Sequence, residues 1–99
     1  MMQITPIRSL LSMQSKPVLK RHVRLQYDKV RGAWALLSPE RVFWPNEVSL
    51  DILRLCDGQH SVAQMIALLG DLYGADEAEI TPDVTGFLQE WSDKFLVTL

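Results

Sequence analysis

Few residues of this 99-residue chain could carry covalent or metal chemistry. The chain contains one cysteine, Cys56, and two histidines, His22 and His60, and neither histidine has a cysteine or a carboxylate pair at metal-ligand spacing. Cys56 falls on an apolar stripe, which favours a buried structural thiol over a nucleophile. No glycine-rich phosphate loop is present. We therefore expect no catalytic residue, no metal site and no bound cofactor.

The composition limits the chain to one small domain. Hydrophobic residues make up 47% and charged residues 22%, as is typical of a globular domain. No window approaches 18 consecutive apolar residues, so we expect no membrane partner, and a lone cysteine favours a reducing, cytoplasmic location. Residues 1–16 lack a secretory pattern and are interpreted as a mobile tail before a domain at residues 17–99. A segment ordered only against another chain is the alternative.

The charge is divided between the two halves of the chain. The net charge is −2, but residues 1–45 contain eight Lys and Arg against two Asp and Glu, whereas residues 46–99 contain two against ten. Such an asymmetry favours steered association with a charged partner, although it does not identify that partner. Two solvated surfaces without a binding role are the alternative.

Three short segments have the hydrophobic patterns of strands. Residues 23–28, "VRLQYD", alternate apolar and polar side chains with the period of a half-buried strand. Residues 33–37, "AWALL", are apolar on both faces and indicate a central strand, and residues 41–44, "RVFW", form a third strand that Pro45 ends. Gly32 and the "SPER" turn separate the segments. We predict a three-stranded antiparallel meander with the third strand at one edge.

After the strands, the hydrophobic period changes to that of helices. Asn46 is a good N-cap for a first helix. Ser61 and Gln64 form a capping-box pattern that opens a second helix, and Gly74 ends it.

A third helix is predicted near the C-terminus. Thr81, Pro82 and Asp83 provide an N-cap, an N1 proline and a first-turn acid, so the helix should begin there, after an acidic loop "ADEAEI" at residues 75–80. The final "FLVTL" predicts a short strand or a packed tail. The apolar stripe of the third helix consists of Val84, Phe87, Leu88, Trp91 and Phe95.

This order of elements predicts an α+β fold that is winged-helix-like, with a three-stranded antiparallel sheet followed by a three-helix bundle. A DNA-binding regulator is one function of such a shape. The recognition helix, however, would present Asp83, Glu90 and Asp93 against Lys94 alone, and that face would repel phosphate. We therefore expect no nucleic-acid partner.

The third strand favours peptide binding instead. An edge strand presents unpaired N–H and C=O groups, and only Arg41, Pro45 and the neighbouring helix blunt this edge. An extended peptide can add there as a fourth strand, with the third helix as the other wall of the groove. The aromatic candidates for its pockets are Phe43, Trp44, Phe87 and Trp91, and we expect Phe87 and Trp91 to contribute to the core as well.

The quoted segments together resemble one family. "VRLQYDKVRGAWALLSPERVFWPN", followed by "ILRLCDG" and "ITPDVTGFLQEW", strongly resembles the PqqD family of pyrroloquinoline quinone (PQQ) biosynthesis proteins over about residues 17–97. The combination of YD-x-VRG, LL-x-PERV and LCDG makes the match specific, since none is diagnostic alone. The resemblance implies a non-enzymatic peptide chaperone that carries the recognition element of ribosomal peptide modification systems.

The resemblance also implies partners and site residues. Such a protein binds the precursor peptide PqqA and presents it to the radical S-adenosylmethionine enzyme PqqE, which links a glutamate and a tyrosine of the peptide. The iron–sulfur clusters belong to that enzyme, because one cysteine cannot hold such a cluster. In these recognition elements the peptide lies along the third strand and against the third helix. The implied peptide-binding residues are Arg41, Val42, Phe43, Trp44, Asp83, Phe87, Glu90, Trp91 and Lys94.

The surface that contacts the enzyme is less defined. The basic first strand and the "VRG" turn make Arg24, Arg31 and Gly32 weaker candidates. A homodimer formed by exchange of a strand or of the tail is a further possibility. A purely structural subunit of the enzyme complex is the third functional class that the sequence leaves open.

Overall fold

The computed structural model describes residues 9–99 and confirms the predicted α+β class. A three-stranded antiparallel sheet is followed by three helices, and a two-stranded ribbon joins the two ends of the domain. Among the described residues, no helix has both the length and the hydropathy needed to span a bilayer. The elements are β1 (Val18–Leu19), β2 (Arg24–Asp28), β3 (Ala33–Leu37), β4 (Val42–Phe43), α1 (Glu47–Arg54), α2 (Val62–Tyr73), α3 (Glu77–Asp93) and β5 (Val97–Thr98).

The main sheet has the order β2-β3-β4, with β3 in the centre as predicted. The turn between β2 and β3 depends on Gly32, whose φ is +63°, and on Asp28, whose Oδ1 accepts hydrogen bonds from the N–H groups of Val30 and Arg31 at 2.9 and 3.1 Å. β4 is shorter than the predicted strand at residues 41–44, because only Val42 and Phe43 pair with β3.

The first two helices begin where their capping residues predict. The Asn46 side chain accepts a hydrogen bond from the Ser49 N–H at 2.8 Å. Ser61 and Gln64 form both bonds of the predicted capping box, at 2.8 and 3.1 Å. Gly74, with a φ of +62°, ends α2 in the left-handed conformation.

The predicted start of the third helix is wrong. α3 begins at Glu77, so most of the predicted acidic loop is helical and Pro82 lies inside the helix. Glu77 and Glu79 in the first turn complement the helix dipole. Pro82 cannot donate to the Ala78 carbonyl, and Ala78, the residue that carries this carbonyl, is exposed. The turn before α3 is therefore shorter than expected.

The ends of the domain meet in the β1–β5 ribbon, in which Val18 pairs with Thr98 and Leu19 with Val97. β5 confirms the strand alternative for the C-terminal residues. Of the tail predicted at residues 1–16, residues 1–8 lie outside the described residues. Residues 9–16 make backbone hydrogen bonds to α2, from the Ala63 N–H to the Met13 carbonyl at 3.1 Å and from the Val62 N–H to the Ser15 carbonyl at 2.8 Å. The mobility of residues 9–16 stays a prediction. Movement of this segment would have to break these two hydrogen bonds.

Two apolar clusters hold the elements together. One lies among the helices and contains buried residues from α1, α2 and α3 together with Cys56, which lies between α1 and α2. The other lies between the sheet and the helices, where Leu36 of β3 and Leu53 of α1 are buried with Leu96 and Val97. Continuous burial of this kind is the main stabilising term of a small domain. It fixes β4 and the C-terminal half of α3 relative to each other.

Candidate functional site

β4 lies at an open edge of the sheet, directly beside the C-terminal half of α3. Phe43 and Trp91 both pack against the cluster between sheet and helices. The Lys94 Nζ lies 5.9 Å from the centroid of the Phe43 ring. A cleft of about 500 Å³ opens here, lined by Arg41 and Phe43 on the strand side and by Asp93, Lys94 and Phe95 on the helix side. We call it the β4–α3 groove.

The register of β3 and β4 shows which backbone groups of β4 face the open edge. The Ser38 N–H donates to the Arg41 carbonyl at 2.9 Å, so these two residues form a hydrogen-bonded pair. Hydrogen-bonded and non-hydrogen-bonded pairs alternate along an antiparallel ladder. The next pair, Leu37 with Val42, is therefore of the non-hydrogen-bonded type, and the N–H and C=O of Val42 point to the open edge. Those of Phe43 point to β3.

Side chains of β4 alternate between the two faces of the sheet. Phe43 faces the groove, whereas Val42 and Trp44 line a second cavity of about 350 Å³ on the other face, together with Leu37 and Arg31. Val42 is 53% exposed and Trp44 is 44% exposed. The Arg31 guanidinium carbon lies 4.8 Å from the centroid of the Trp44 ring. The edge therefore offers apolar surface on both of its sides.

The α3 residues predicted for the site differ in their surroundings. Phe87 and Trp91 are half-buried, with ring centroids 6.0 Å apart, and each packs against one of the two clusters, so their predicted contribution to the core is confirmed. Glu90 is exposed and its Oε1 lies 3.0 Å from the Lys94 Nζ. Asp83 is exposed, 11 residues before Lys94 in the chain and outside the groove lining.

Of the nine predicted peptide-binding residues, the structure brings Arg41, Phe43 and Lys94 into one cleft. Val42 and Trp44 lie on the opposite face of the same strand. The remaining four lie within α3 and are Asp83, Phe87, Glu90 and Trp91. Their role in peptide binding stays a prediction.

Phe95 lies in this groove, although its spacing placed it on the buried stripe of the third helix. That prediction is wrong, because α3 ends at Asp93, and Phe95 is 72% exposed with a φ of +62°. The Leu96 N–H donates to the Trp91 carbonyl at 2.9 Å and the Phe95 N–H to the Ser92 carbonyl at 3.0 Å. This is a Schellman motif with phenylalanine where glycine is usual. A left-handed non-glycine residue costs roughly 1–2 kcal/mol. No glycine or proline in the sequence marks this helix end.

The weaker candidates for enzyme contact do not form one compact site. Arg24 pairs with Leu37 at one end of the β2–β3 hairpin, whereas Gly32 lies in the turn at the other end. Arg31 lies near Gly32, and its Nε is 3.9 Å from the Asp28 Oδ2. Their contact with an enzyme stays a prediction.

The residues that could do chemistry lie mostly away from the groove. Cys56 is buried, as predicted, and burial with the neighbouring Asp57 carboxylate raises the pKa of its thiol to about 12, so the nucleophilic thiolate is disfavoured. Hydrogen bonds from the Gln59 backbone N–H and from His60 lower the pKa of Asp57. A hydrogen bond to the Asp51 carboxylate raises the pKa of Tyr73 to about 12. Within residues 9–99, no cluster of three or more His, Cys, Asp and Glu side chains is arranged to hold a metal ion.

Comparison with known proteins identifies the family. A sequence model of the family described as Coenzyme PQQ synthesis protein D (PqqD) matches residues 33–97. The chain belongs to the PqqD family. The match contains β3, β4, all three helices and the first residue of β5, so it includes both walls of the groove.

Curated PqqD-family relatives cover nearly the whole chain. The PqqA binding protein of Rhodopseudomonas palustris strain TIE-1 is 46% identical over 96% of this chain and 93% of its own length. The PqqA binding protein of Bradyrhizobium diazoefficiens is 41% identical over 89% of this chain and 85% of its own length.

Two solved structures have the same fold. One is the solution structure of the PqqD part of PqqCD from Methylobacterium extorquens, described as a functional, stand-alone recognition element for ribosomally synthesized and post-translationally modified peptides. It is 36% identical, with a TM-score of 0.75, and the match covers 90% of this chain and 95% of the other. The other is the crystal structure of PqqD from Xanthomonas campestris, which is 37% identical with a TM-score of 0.57 and coverages of 90% and 99%.

Proposed function

We propose that this chain recognises PqqA in PQQ biosynthesis by accepting it as an added strand at β4, with α3 as the second wall. Relatives as similar as 46% identical are PqqA binding proteins, and a structure that it resembles is a peptide recognition element. The observation that carries the binding mode is the Val42 backbone, whose N–H and C=O point to an edge beside an open cleft. Strand addition uses such groups for affinity and alternate side-chain pockets for specificity.

The groove offers the two kinds of pocket that an added strand needs. One set of peptide side chains would lie on the face of Phe43 and Lys94. The next set would lie on the face of Val42 and Trp44. Arg41 lines the cleft next to the β3–β4 turn. Sequence specificity would thus come from both faces of a single edge.

The chain acts in this proposal as a non-catalytic accessory protein that presents the peptide to the radical S-adenosylmethionine enzyme PqqE. Holding a flexible peptide on a second protein raises its effective concentration at the enzyme and limits its orientations. Association with PqqC is supported by the solved relative, which is the PqqD part of a PqqCD protein. Arg24, Arg31 and Gly32 remain the candidates for the enzyme-facing surface.

A DNA-binding regulator is not favoured. The exposed face of α3 carries Asp83 and Glu90, and the nearby Lys94 is already paired with Glu90 at 3.0 Å. Duplex DNA requires several phosphate contacts from a recognition element, and this helix offers mainly repulsion.

The test is an NMR titration of the ¹⁵N-labelled chain with a synthetic PqqA peptide from R. palustris. We expect the largest amide shift changes at residues 41–44 and 83–95, because these contain the predicted binding residues of β4 and α3 and the helix-side lining of the groove. The amides of the β1–β5 ribbon should move little and serve as the internal control. Saturable shifts confined to the ribbon or to α2 would contradict the binding mode, and no saturable shifts would contradict peptide recognition itself. A purely structural subunit would bind PqqE but not the peptide.

A further inference from the structure

Phe95 is strained in the backbone and exposed in the side chain. Its φ of +62° is a conformation that favours glycine, and its side chain is 72% exposed. Strained conformations persist where the surrounding structure determines them, and they occur preferentially at functional sites. An exposed aromatic ring at such a position therefore needs an explanation.

The fold itself does not need an aromatic ring at this position. The turn after α3 redirects the chain so that Leu96 and Val97, which are 4% and 1% exposed, enter the core. The two backbone hydrogen bonds that make this turn come from Phe95 and Leu96 N–H groups, which any non-proline residue provides. Glycine would form the same turn without the strain, so packing and turn formation leave the ring unexplained.

The position of the ring supplies the explanation. Phe95 lines the β4–α3 groove together with Phe43, Lys94 and Arg41. In an added strand, the peptide residue opposite Phe43 directs its side chain to the same face as Phe43, into this cleft. A large apolar side chain would there meet one ring from the strand side and one from the helix side.

We propose that Phe95 is an aromatic anchor of the groove that contacts an aromatic or branched aliphatic side chain of the bound peptide. This inference rests on the proposed function. It assigns to the groove a preference for a large apolar residue at the peptide position opposite Phe43. The anchor selects among peptides, whereas the Val42 backbone binds any extended chain.

The test compares Phe95→Gly with the wild-type chain. Glycine removes the ring and the strain together, so the affinity for the R. palustris PqqA peptide, measured by calorimetry, should fall about tenfold while Tm rises by about 4 °C. Phe95→Tyr keeps the ring and should bind within about twofold of wild type. Leu72→Ala is the matched control, because Leu72 is 64% exposed on α2 and does not line the groove.

The opposite signs of the two effects make the test specific. Unchanged affinity in Phe95→Gly would overturn the anchor and leave the proposed function standing, whereas a wild-type chain that does not bind the peptide would overturn both. A lower Tm accompanied by weaker binding would show that the ring stabilises the fold, and would also overturn the anchor. Equal losses in Phe95→Gly and Leu72→Ala would show a non-specific effect of apolar surface, with the same consequence.

Discussion

The main sheet has two open edges, β2 and β4, and they differ in what surrounds them. β2 is five residues long and pairs with β3 over its whole length, whereas only two residues of β4 are paired. The side chains of β2 on the outer face are Arg24, Gln26 and Asp28, and Lys29 follows. Charged and polar side chains of this kind protect an edge from further pairing.

The shorter edge has the surroundings on which the proposed peptide binding rests. β4 carries Val42 and Phe43, is followed by Trp44, and has α3 beside it, with Lys94 over the Phe43 ring. Backbone groups point outwards at both edges, but only β4 has a groove against α3 beside it. Edge exposure alone therefore does not distinguish β4 from β2, whereas the groove beside β4 does.

Proline substitution should give the largest difference in PqqA affinity between the β4 edge and the β2 edge. In β4 the N–H of Val42 points to the open edge, so Val42→Pro should keep the β3–β4 ladder and weaken PqqA binding by at least about tenfold in calorimetry. In β2, Leu25 is the partner of Leu36, and the backbone groups of Leu36 point to β4. The pair of Leu25 with Leu36 is therefore of the non-hydrogen-bonded type, so the N–H and C=O of Leu25 point to solvent. Those of Tyr27, two residues further on, point the same way. Tyr27→Pro is therefore the matched control and should leave affinity unchanged.

A third proline variant checks the register on which this comparison depends. The N–H of Phe43 points to β3, so Phe43→Pro should lower the free energy of unfolding by about 2 kcal/mol or more, as measured by denaturant unfolding. Val42→Pro should lower it much less. Equal destabilisation by the two variants, or equal loss of binding in Val42→Pro and Tyr27→Pro, would contradict the assignment of β4 as the docking edge.

Truncation of an aromatic side chain at each edge should give a smaller difference. Trp44 and Tyr27 are 44% and 46% exposed. Trp44→Ala should weaken PqqA binding about fivefold, because a bound strand would cover part of the exposed indole. Tyr27→Ala should leave binding unchanged, although it removes the contact of Tyr27 with Trp34, whose ring centroid is 5.5 Å away. If Tyr27→Ala weakened binding as much as Trp44→Ala, the site would have to extend across the sheet to the β2 edge.

The sequence predicted the strands and the first two helix starts better than the two ends of α3. The strand order, the turns at Gly32 and Ser38 and the first two helix caps follow from local patterns that the fold preserves. In the strands, β4 is shorter than the predicted residues 41–44. In the helices, both errors lie at the ends of α3. At its start, Pro82 suggested an N1 position, although the helix begins five residues earlier, at Glu77, and Ala78, whose carbonyl Pro82 leaves without a helical donor, is an exposed residue. At its end, periodicity carried the apolar stripe on to Phe95, because helical spacing alone does not show where a helix stops.

Tertiary placement accounts for the rest of the candidate site. Phe43 and Lys94 are 51 residues apart in the sequence, and no local pattern predicts that the ammonium group lies 5.9 Å from the ring centroid. Likewise, Arg31 belongs to a turn by its sequence and covers Trp44 only because the sheet folds that way. The residues of the edge could be predicted, whereas the groove depends on packing between distant elements.

The smallest expected effect on PqqA affinity comes from removing the charge of Lys94. It tests whether this charge acts within the groove or only through the overall positive charge of the N-terminal half. Lys94 is held between Glu90 and the Phe43 ring, and an exposed ion pair or cation–π contact of this kind contributes at most about 1 kcal/mol. Lys94→Gln should therefore weaken PqqA binding by about twofold to threefold, and added salt should reduce the difference from wild type. Lys16→Gln makes the same charge change at an exposed residue that lines neither cavity, and it should have no effect. If both lysines contributed equally, the cation would act through the overall field of the basic half, and the groove would differ from the β2 edge only in its backbone and its aromatic side chains.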